Sequence, residues 1–387
     1  MPWKACDLVT LRVELMALAQ QPDADRAMLA RRYGVSRKTL YKWLARFRER
    51  ACDPVALADR SRRPLRSPGQ VDAQIEAHAL SIRQAHPAWG PRKIHAVMRR
   101  SLPIEQLPSV STIGRILRRN DCISTQASEA AQRYQRFEHP FPNDLWQMDF
   151  KGDFALAGGG RCHPLTVLDD HSRYNLLLAA CSNQQRATVL SELRGVFRRY
   201  GLPRRMLMDN GAPWGVSHSP ECYTQLEVEL LSLDIAVTHG RPYHPQTQGK
   251  EERFHRTLNV ELLQHRQLLD LPEAQRAFDP WRQMYNHQRP HDALGLATPA
   301  SRYAPSSRSL PERIEPPSYH AHDLVRSLNP SGQLPFRGRC YKLSEAFAHR
   351  RVALRPTATD GLWSVHFSRF EIATLDERDG SVRMMRT

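Results

Sequence analysis

No run of about 18 consecutive apolar residues occurs in the 387-residue chain, so no membrane-spanning helix is expected. The opening stretch MPWKACDLVTLRVELMALAQ lacks a continuous apolar core and carries charge throughout, unlike a secretory signal. Cysteine is sparse and unpatterned. Cys6, Cys52, Cys122, Cys162, Cys181, Cys222 and Cys340 are scattered, odd in number, and form no Cys-x-x-Cys pair. That argues against a disulfide framework and a zinc site, and for reduced thiols in a cytoplasmic protein. Acid is also in deficit: 40 Asp and Glu face 56 Lys and Arg, for a formal charge of +16. The imbalance is concentrated at the front, with 25 basic against 13 acidic residues before position 141 and 31 against 27 after it. A polyanion is the expected partner, held chiefly by the front half with strongly salt-dependent affinity.

Against this basic background three carboxylates stand in distinctive settings. Asp149 interrupts an apolar, strand-like run in LWQMDFKGDF. Asp209 ends another in RRMLMDNGAPW, where Asn-Gly marks a turn. Glu252 falls just inside a helical stretch that follows a Pro/Gly/Gln loop in HGRPYHPQTQGKEERFHRTL. Two strand ends and one helix can bring three oxygen donors to one point, which suits a pair of hard Mg²⁺ ions and in-line chemistry at phosphorus. Asp169 and Asp170 are rival ligands, but Asp169-Asp170-His171-Ser172 lies between two apolar runs and reads as a hairpin turn.

The front half reads as helices. In LARRYGVSRKTLYKWLARFRER, Leu29 and Tyr33 face inward, Gly34 permits a tight turn, and Ser36 is a natural N-cap. Leu40, Leu44 and Phe47 recur at helical spacing and form one buried stripe. Arg37, Lys38, Tyr41 and Lys42 then occupy the opposite face near the helix start, where a recognition helix meets DNA. A second helix-turn-helix is predicted in HPAWGPRKIHAVMRRSLPIEQLPSVSTIGRILRRN, capped by Ser109 or Ser111, with Ile113, Ile116 and Leu117 inward and Thr112 and Arg115 outward. Between the two modules, Arg62 and Arg63 lie in an Arg/Pro-rich linker too broken for a long helix but suited to a minor groove.

From Leu145 the pattern turns to strands, with ATVLSELRGVFRRYG as an amphipathic helix among them. The motifs WQMDFKG, VLDDHSRY, MDNGAPW and HPQTQGKEERFHRTL, with YNHQRPHDALGLATPASRY downstream, resemble those of bacterial insertion-sequence transposases with a retroviral-integrase-like DDE core. The resemblance covers roughly residues 25–305. It implies an α/β RNase H-like core, a five-stranded mixed sheet flanked by helices. It also implies that Asp149, Asp209 and Glu252 form the catalytic and metal-binding triad, since the family's acid directly precedes Arg253. Glu251, about 100° round the helix, is then expected to face elsewhere. The gap between Asp209 and Glu252 is longer than the family's usual spacing.

The cofactor so implied is a pair of Mg²⁺ ions, with Mn²⁺ able to substitute. The implied reaction is cleavage at the terminal inverted repeats followed by 3′-OH strand transfer into target DNA, with no covalent protein intermediate. His244, Gln248, Lys250, Arg253 and Arg256 are candidates to touch the DNA end. The implied partners are double-stranded DNA, as element ends and target, and further copies of the chain, at least a dimer on paired ends. The implied setting is the bacterial cytoplasm, at the nucleoid.

Residues 306–319 are Ser/Pro-rich and read as a linker. Short strand-like pieces follow, the pattern of a small SH3-like β-barrel. The expected division is therefore a helix-turn-helix domain over 1–55, a linker over 56–70 and a second helix-turn-helix over 71–124. A connector over 125–140, a catalytic core over 141–305, a linker over 306–319 and a barrel over 320–387 complete it. A non-catalytic, transposase-derived regulator is the main competing reading, but all three carboxylates are present. A plain RNase H-like nuclease would need neither two DNA-reading modules nor a C-terminal barrel.

Overall fold

The computed structural model describes residues 8–50, 53–59, 71–123, 138–211, 214, 222–240 and 249–385. The chain forms two compact units, residues 1–70 and 71–387. In the first, α1 (Leu8–Ala19), α2 (Arg26–Arg32) and α3 (Arg37–Glu49) close over Leu15, Met16, Leu29, Leu40, Leu44, Phe47 and Leu57. Local chemistry sets the ends. The Asp25 carboxylate accepts from the Ala27 and Met28 amides, and Ser36 Oγ accepts from Thr39 N at 3.1 Å. Gly34, at φ +64°, makes the turn between α2 and α3.

The second unit opens with α4 (Ala73–Ala85), α5 (Pro91–Met98) and α6 (Val110–Arg119) around Trp89, Ile94, Ile113 and Leu117. Ser109, not Ser111, caps α6, accepting from Thr112 N at 3.2 Å. The central sheet follows, built from β1 (Trp146–Phe150), β2 (Phe154–Ala155), β3 (Arg161–Asp169), β4 (Asn175–Cys181), β5 (Arg205–Met208) and β6 (Ala236–His239). β3 pairs antiparallel with β4 and β1, whereas β1–β5 and β5–β6 are parallel. This is the expected mixed sheet, with short β2 pairing to the start of β3.

Alternation along β1 decides which helices cover which face. Trp146, Met148 and Phe150 pack beneath α7 (Arg186–Tyr200) and α8 (Gln225–Ser232). Gln147 and Asp149 therefore point to the other face, covered by α9 (Gly249–Glu261) and α10 (Leu271–His287), whose Phe254, Leu258, Phe278 and Trp281 pack on Leu168 and Leu178.

Residues after 305 strap the core before entering the last module. Ser306 N donates to Tyr200 O, Leu202 N donates to Arg308 O, and Arg308 bonds the Pro203, Leu233 and Asp234 carbonyls. Then come β7 (Leu324–Ser327), β8 (Gln333–Phe336), β9 (Arg339–Lys342), β10 (Arg351–Pro356), β11 (Leu362–Phe367), β12 (Phe370–Asp376) and β13 (Val382–Met384). The expected barrel is corrected here. β13-β12-β11-β10-β7 form an open antiparallel sheet, β8–β9 is a separate hairpin, and no closed barrel exists among the described residues. Its apolar face is covered by the core instead: Tyr223, Val228, Leu231 and Ala236 join Phe347, Val352, Val365 and Phe367 in one cluster. α8 is thus apolar on two sides, with Leu226 and Leu230 serving the central sheet.

Candidate active site

The parallel register of β1 and β5 sets Trp146 against Met206 and Gln147 against Leu207. Two residues further along, Asp149 near the end of β1 and Asp209 just past β5 emerge side by side. Burial, then the Asp209 charge and more weakly that of Glu252, push the Asp149 carboxyl up to about 7. Asp209 is also raised, by burial, although the Gly211 amide donates to its Oδ1 at 2.9 Å. Glu252 is exposed in the first turn of α9. Among the described residues no three acidic or imidazole groups close into a metal-holding cluster. The donors nevertheless fit a divalent cation: burial raises both adjacent carboxyls, and the Asp209 charge raises Asp149 further, a cost that a bound cation would offset.

Behind Asp209 lies a link absent from the sequence reading. His239 Nδ1–H donates to the Asp209 carbonyl at 2.6 Å, while its Nε2 stands 2.8 Å from Glu227 Oε1. Both side chains are buried. Glu227 also closes a capping box with Thr224 at the start of α8. The end of β5 is therefore tied through β6 to α8 and the C-terminal sheet.

Glu251 corrects an expectation. It faces the sheet at 1% exposure, on the inward stripe of α9 with Phe254 and Leu258. Its Oε2 lies 3.1 Å from Thr166 Oγ1 and 3.6 Å from His255 Nε2, and its Oε1 is buried without a partner. Burial, then the Asp149 charge, raise its pKa well above the ordinary value. Thr166 Oγ1 also lies 2.9 Å from His255 Nε2 and 2.9 Å from the Asp149 carbonyl. Burial depresses His255 to about 4, so its ring is neutral. Thr166, Glu251 and His255 thus form a buried, hydrogen-bonded floor under Asp149. Two adjacent glutamates, with a histidine four residues after the first, were the available signal for it.

The rival aspartates are occupied. Asp169 accepts from Asn143 N at 2.7 Å and from Ser172 N at 2.8 Å. Asp170 accepts from Gln147 Nε2 at 2.7 Å and His139 N at 2.8 Å, and pairs with Lys250. Lys250, expected to touch the DNA end, has its ammonium on Asp170. Arg253 and Arg256 are exposed on α9. Asn286 packs the core, bonding both Asn175 N and O. Trp214 is buried and stacks on Phe150 with centroids 5.4 Å apart. Arg37, Lys38, Tyr41 and Lys42 are exposed along the start of α3. Arg115 is exposed on α6 and donates to half-buried Thr112 Oγ1 at 3.2 Å. Arg62, Arg63, His244 and Gln248 lie outside the described residues.

An integrase core domain model matches residues 139–245 and a second one residues 233–299. An IS481 family transposase C-terminal domain matches residues 323–383. A helix-turn-helix domain matches residues 12–64 and a homeodomain-like domain residues 39–117. The chain is 28% identical, over 65% of its length and 70% of the relative's, to the insertion element IS476 uncharacterized 39.2 kDa protein of Xanthomonas euvesicatoria. It is 30% identical, over 41% of its length and 54% of the relative's, to the insertion element IS407 uncharacterized 31.7 kDa protein of Burkholderia multivorans. Among solved structures it is similar to the simian T-cell lymphotropic virus intasome in complex with PP2A regulatory subunit B56 gamma. That likeness has 15% identity, covers 81% of this chain and 99% of that one, and has a TM-score of 0.37. The chain thus carries helix-turn-helix domains, an integrase core and a transposase C-terminal domain, and resembles insertion-sequence transposases as its motifs indicated. Among the described residues no helix is long and apolar enough to cross a membrane.

Proposed function

We propose that this protein is a DDE transposase that binds the terminal inverted repeats of an insertion sequence, cleaves there and transfers the freed 3′-OH into target DNA. One observation carries the reading. Asp149 and Asp209 leave neighbouring parallel strands inside an integrase core, and Asp149 is raised to about 7 by burial and by the other two carboxylates. Asp149, Asp209 and Glu252 would hold the metal. Two Mg²⁺ ions bound there, or Mn²⁺ in their place, would activate the attacking oxygen and neutralise the leaving 3′ oxygen.

The chain's own residues do the rest. The floor of Thr166, Glu251 and His255 holds the Asp149 backbone, and His239 holds that of Asp209. Arg253 and Arg256 offer charge to the incoming phosphates, while α3 and α6 read the element end. The domain division over 1–55, 71–124, 141–305 and 320–387 belongs to the same proposal, as does action by at least a dimer on paired ends.

The test replaces each acid with its neutral isostere. Asp149→Asn, Asp209→Asn and Glu252→Gln are each expected to abolish Mg²⁺-dependent nicking of end-bearing duplex while retaining its gel shift. Wild-type nicking by any of them removes that residue from the site.

A further inference from the structure

The second helix-turn-helix is joined to the core through α5. Arg92 pairs with Asp292 at 3.4 Å, and Arg100 Nη1 donates to the Gln288 carbonyl at 3.1 Å. Met284 of α10 packs against the cluster around Trp89, Ile94 and Leu117. Lys93 stands at this seam. It is half-buried, and among the described residues its ammonium makes no ion pair or hydrogen bond. The nearby acids are already engaged, Glu261 by Arg289 at 2.9 Å and Asp292 by Arg92.

Arg289 and Arg253 stand within electrostatic reach of Lys93. The cations Arg92, Lys93, Arg100, Arg253 and Arg289 therefore outnumber the acids Glu261 and Asp292. One buried polar atom at the seam has no partner, Nε2 of His291, a residue 8% exposed. α5 itself starts at Gly90 with no side-chain cap. Burying an ammonium that no acid contacts directly is costly, and burial, with Arg289 adding to it, draws Lys93 down to about 8 against the opposing pull of Glu261 and Asp292. An arriving anion would remove that cost.

We propose that this seam seats a backbone phosphate of duplex DNA, gripped by Lys93 of α5 together with Arg253 and Arg289 of the core. The seat rests on the reading of the protein as a DNA-processing enzyme and adds the point that links recognition to catalysis. Arg253 directly follows Glu252 on α9, so a phosphate held there lies within one helical turn of that residue. A duplex read by α6 is then set in one register relative to the cut.

The test uses the full chain and a mixed-sequence DNA duplex, because phosphate contacts do not depend on base sequence. Affinity is measured across a salt series for wild type, Lys93→Arg and Lys93→Met. The expected result is several-fold weaker binding by Lys93→Met, with the slope of log K against log salt shallower by roughly 0.9, and near-wild-type behaviour in Lys93→Arg. An unchanged slope in a folded Lys93→Met overturns the seat and leaves the DNA-processing reading standing. A wild type that binds no duplex overturns both.

Amine acylation of the wild type gives an answer that needs no variant. Duplex is expected to protect Lys93 several-fold, and inorganic phosphate at matched ionic strength to leave it reactive. No protection by duplex, or equal protection by inorganic phosphate, overturns the assignment to DNA.

Discussion

At the scale of single residues, the site is a set of acids held where they resist ionisation. Asp149 sits at about 7 against an ordinary 3.8, and Glu251 is shifted in the same direction. Both bind protons more tightly in the folded state than in the unfolded one. The stability they contribute is present below their ordinary values and is lost as pH rises through the folded ones. Metal-free protein is therefore expected to be less stable at pH 8 than at pH 5, and Asp149→Asn to recover on the order of 2–4 kcal/mol of that loss. Thermal melts in chelator at both pH values measure it, and a wild-type melt that rises toward pH 8 would contradict it. Glu251→Gln is expected to melt higher than wild type at pH 8 and to keep most of its nicking, whereas Glu252→Gln loses nicking. The reverse pattern would make Glu251 the third ligand.

At the scale of elements, three helices each do two jobs, and their substitutions separate them. α3 buries Leu40, Leu44 and Phe47 and exposes Arg37, Lys38, Tyr41 and Lys42. Ser36→Ala, which removes its cap, is expected to cost about 1 kcal/mol in denaturant unfolding without altering salt dependence. Lys42→Ala is expected to do the opposite, leaving stability intact and reducing the salt slope by about 1. α8 carries Leu226 and Leu230 for the central sheet and Val228 and Leu231 for the C-terminal one. Leu231→Ala is expected to destabilise by about 2–5 kcal/mol, read from the same unfolding curves, because neither sheet can collapse into the space alone. α9 puts Glu251 inward and Glu252 outward on successive residues.

At the scale of the molecule, residues 1–70 are compact by themselves, whereas the C-terminal sheet shares its core with α8. A chain ending at residue 319 is therefore expected to expose Tyr223, Val228 and Leu231 and to aggregate or melt well below the full chain. A fragment of residues 1–70 is expected to fold alone. Full-length melting by the truncated chain would show the sheet to be an independent appendage. Paired-end chemistry adds a test of assembly: an Asp149→Asn subunit mixed with a binding-defective subunit, in which Arg37, Lys38 and Lys42 are all replaced by Ala, is expected to recover cleavage that each lacks alone. Paired-end joining by a monomer, weighed on the reacting complex, would exclude the dimer.

Local pattern was enough wherever the determinant lies within a few residues. Ser36 and Gly34 set the α2–α3 turn by their own chemistry. The alternation of Trp146, Met148 and Phe150 put Asp149 on one face of its strand, and the motifs around the three carboxylates announced an integrase core. Features that depend on distant pairing or packing were not legible. Whether the C-terminal strands close depends on whether β7 and β13 meet, and no short-range signal encodes that. The inward turn of Glu251 follows from where Phe254 and Leu258 dock α9 on the sheet. Lys250 is claimed by Asp170, and Lys93 is left unpaired, only because tertiary contacts set those elements side by side. Spacing along a chain determines the face a residue occupies on its own helix or strand, and the packing of that element against the rest determines what the face meets.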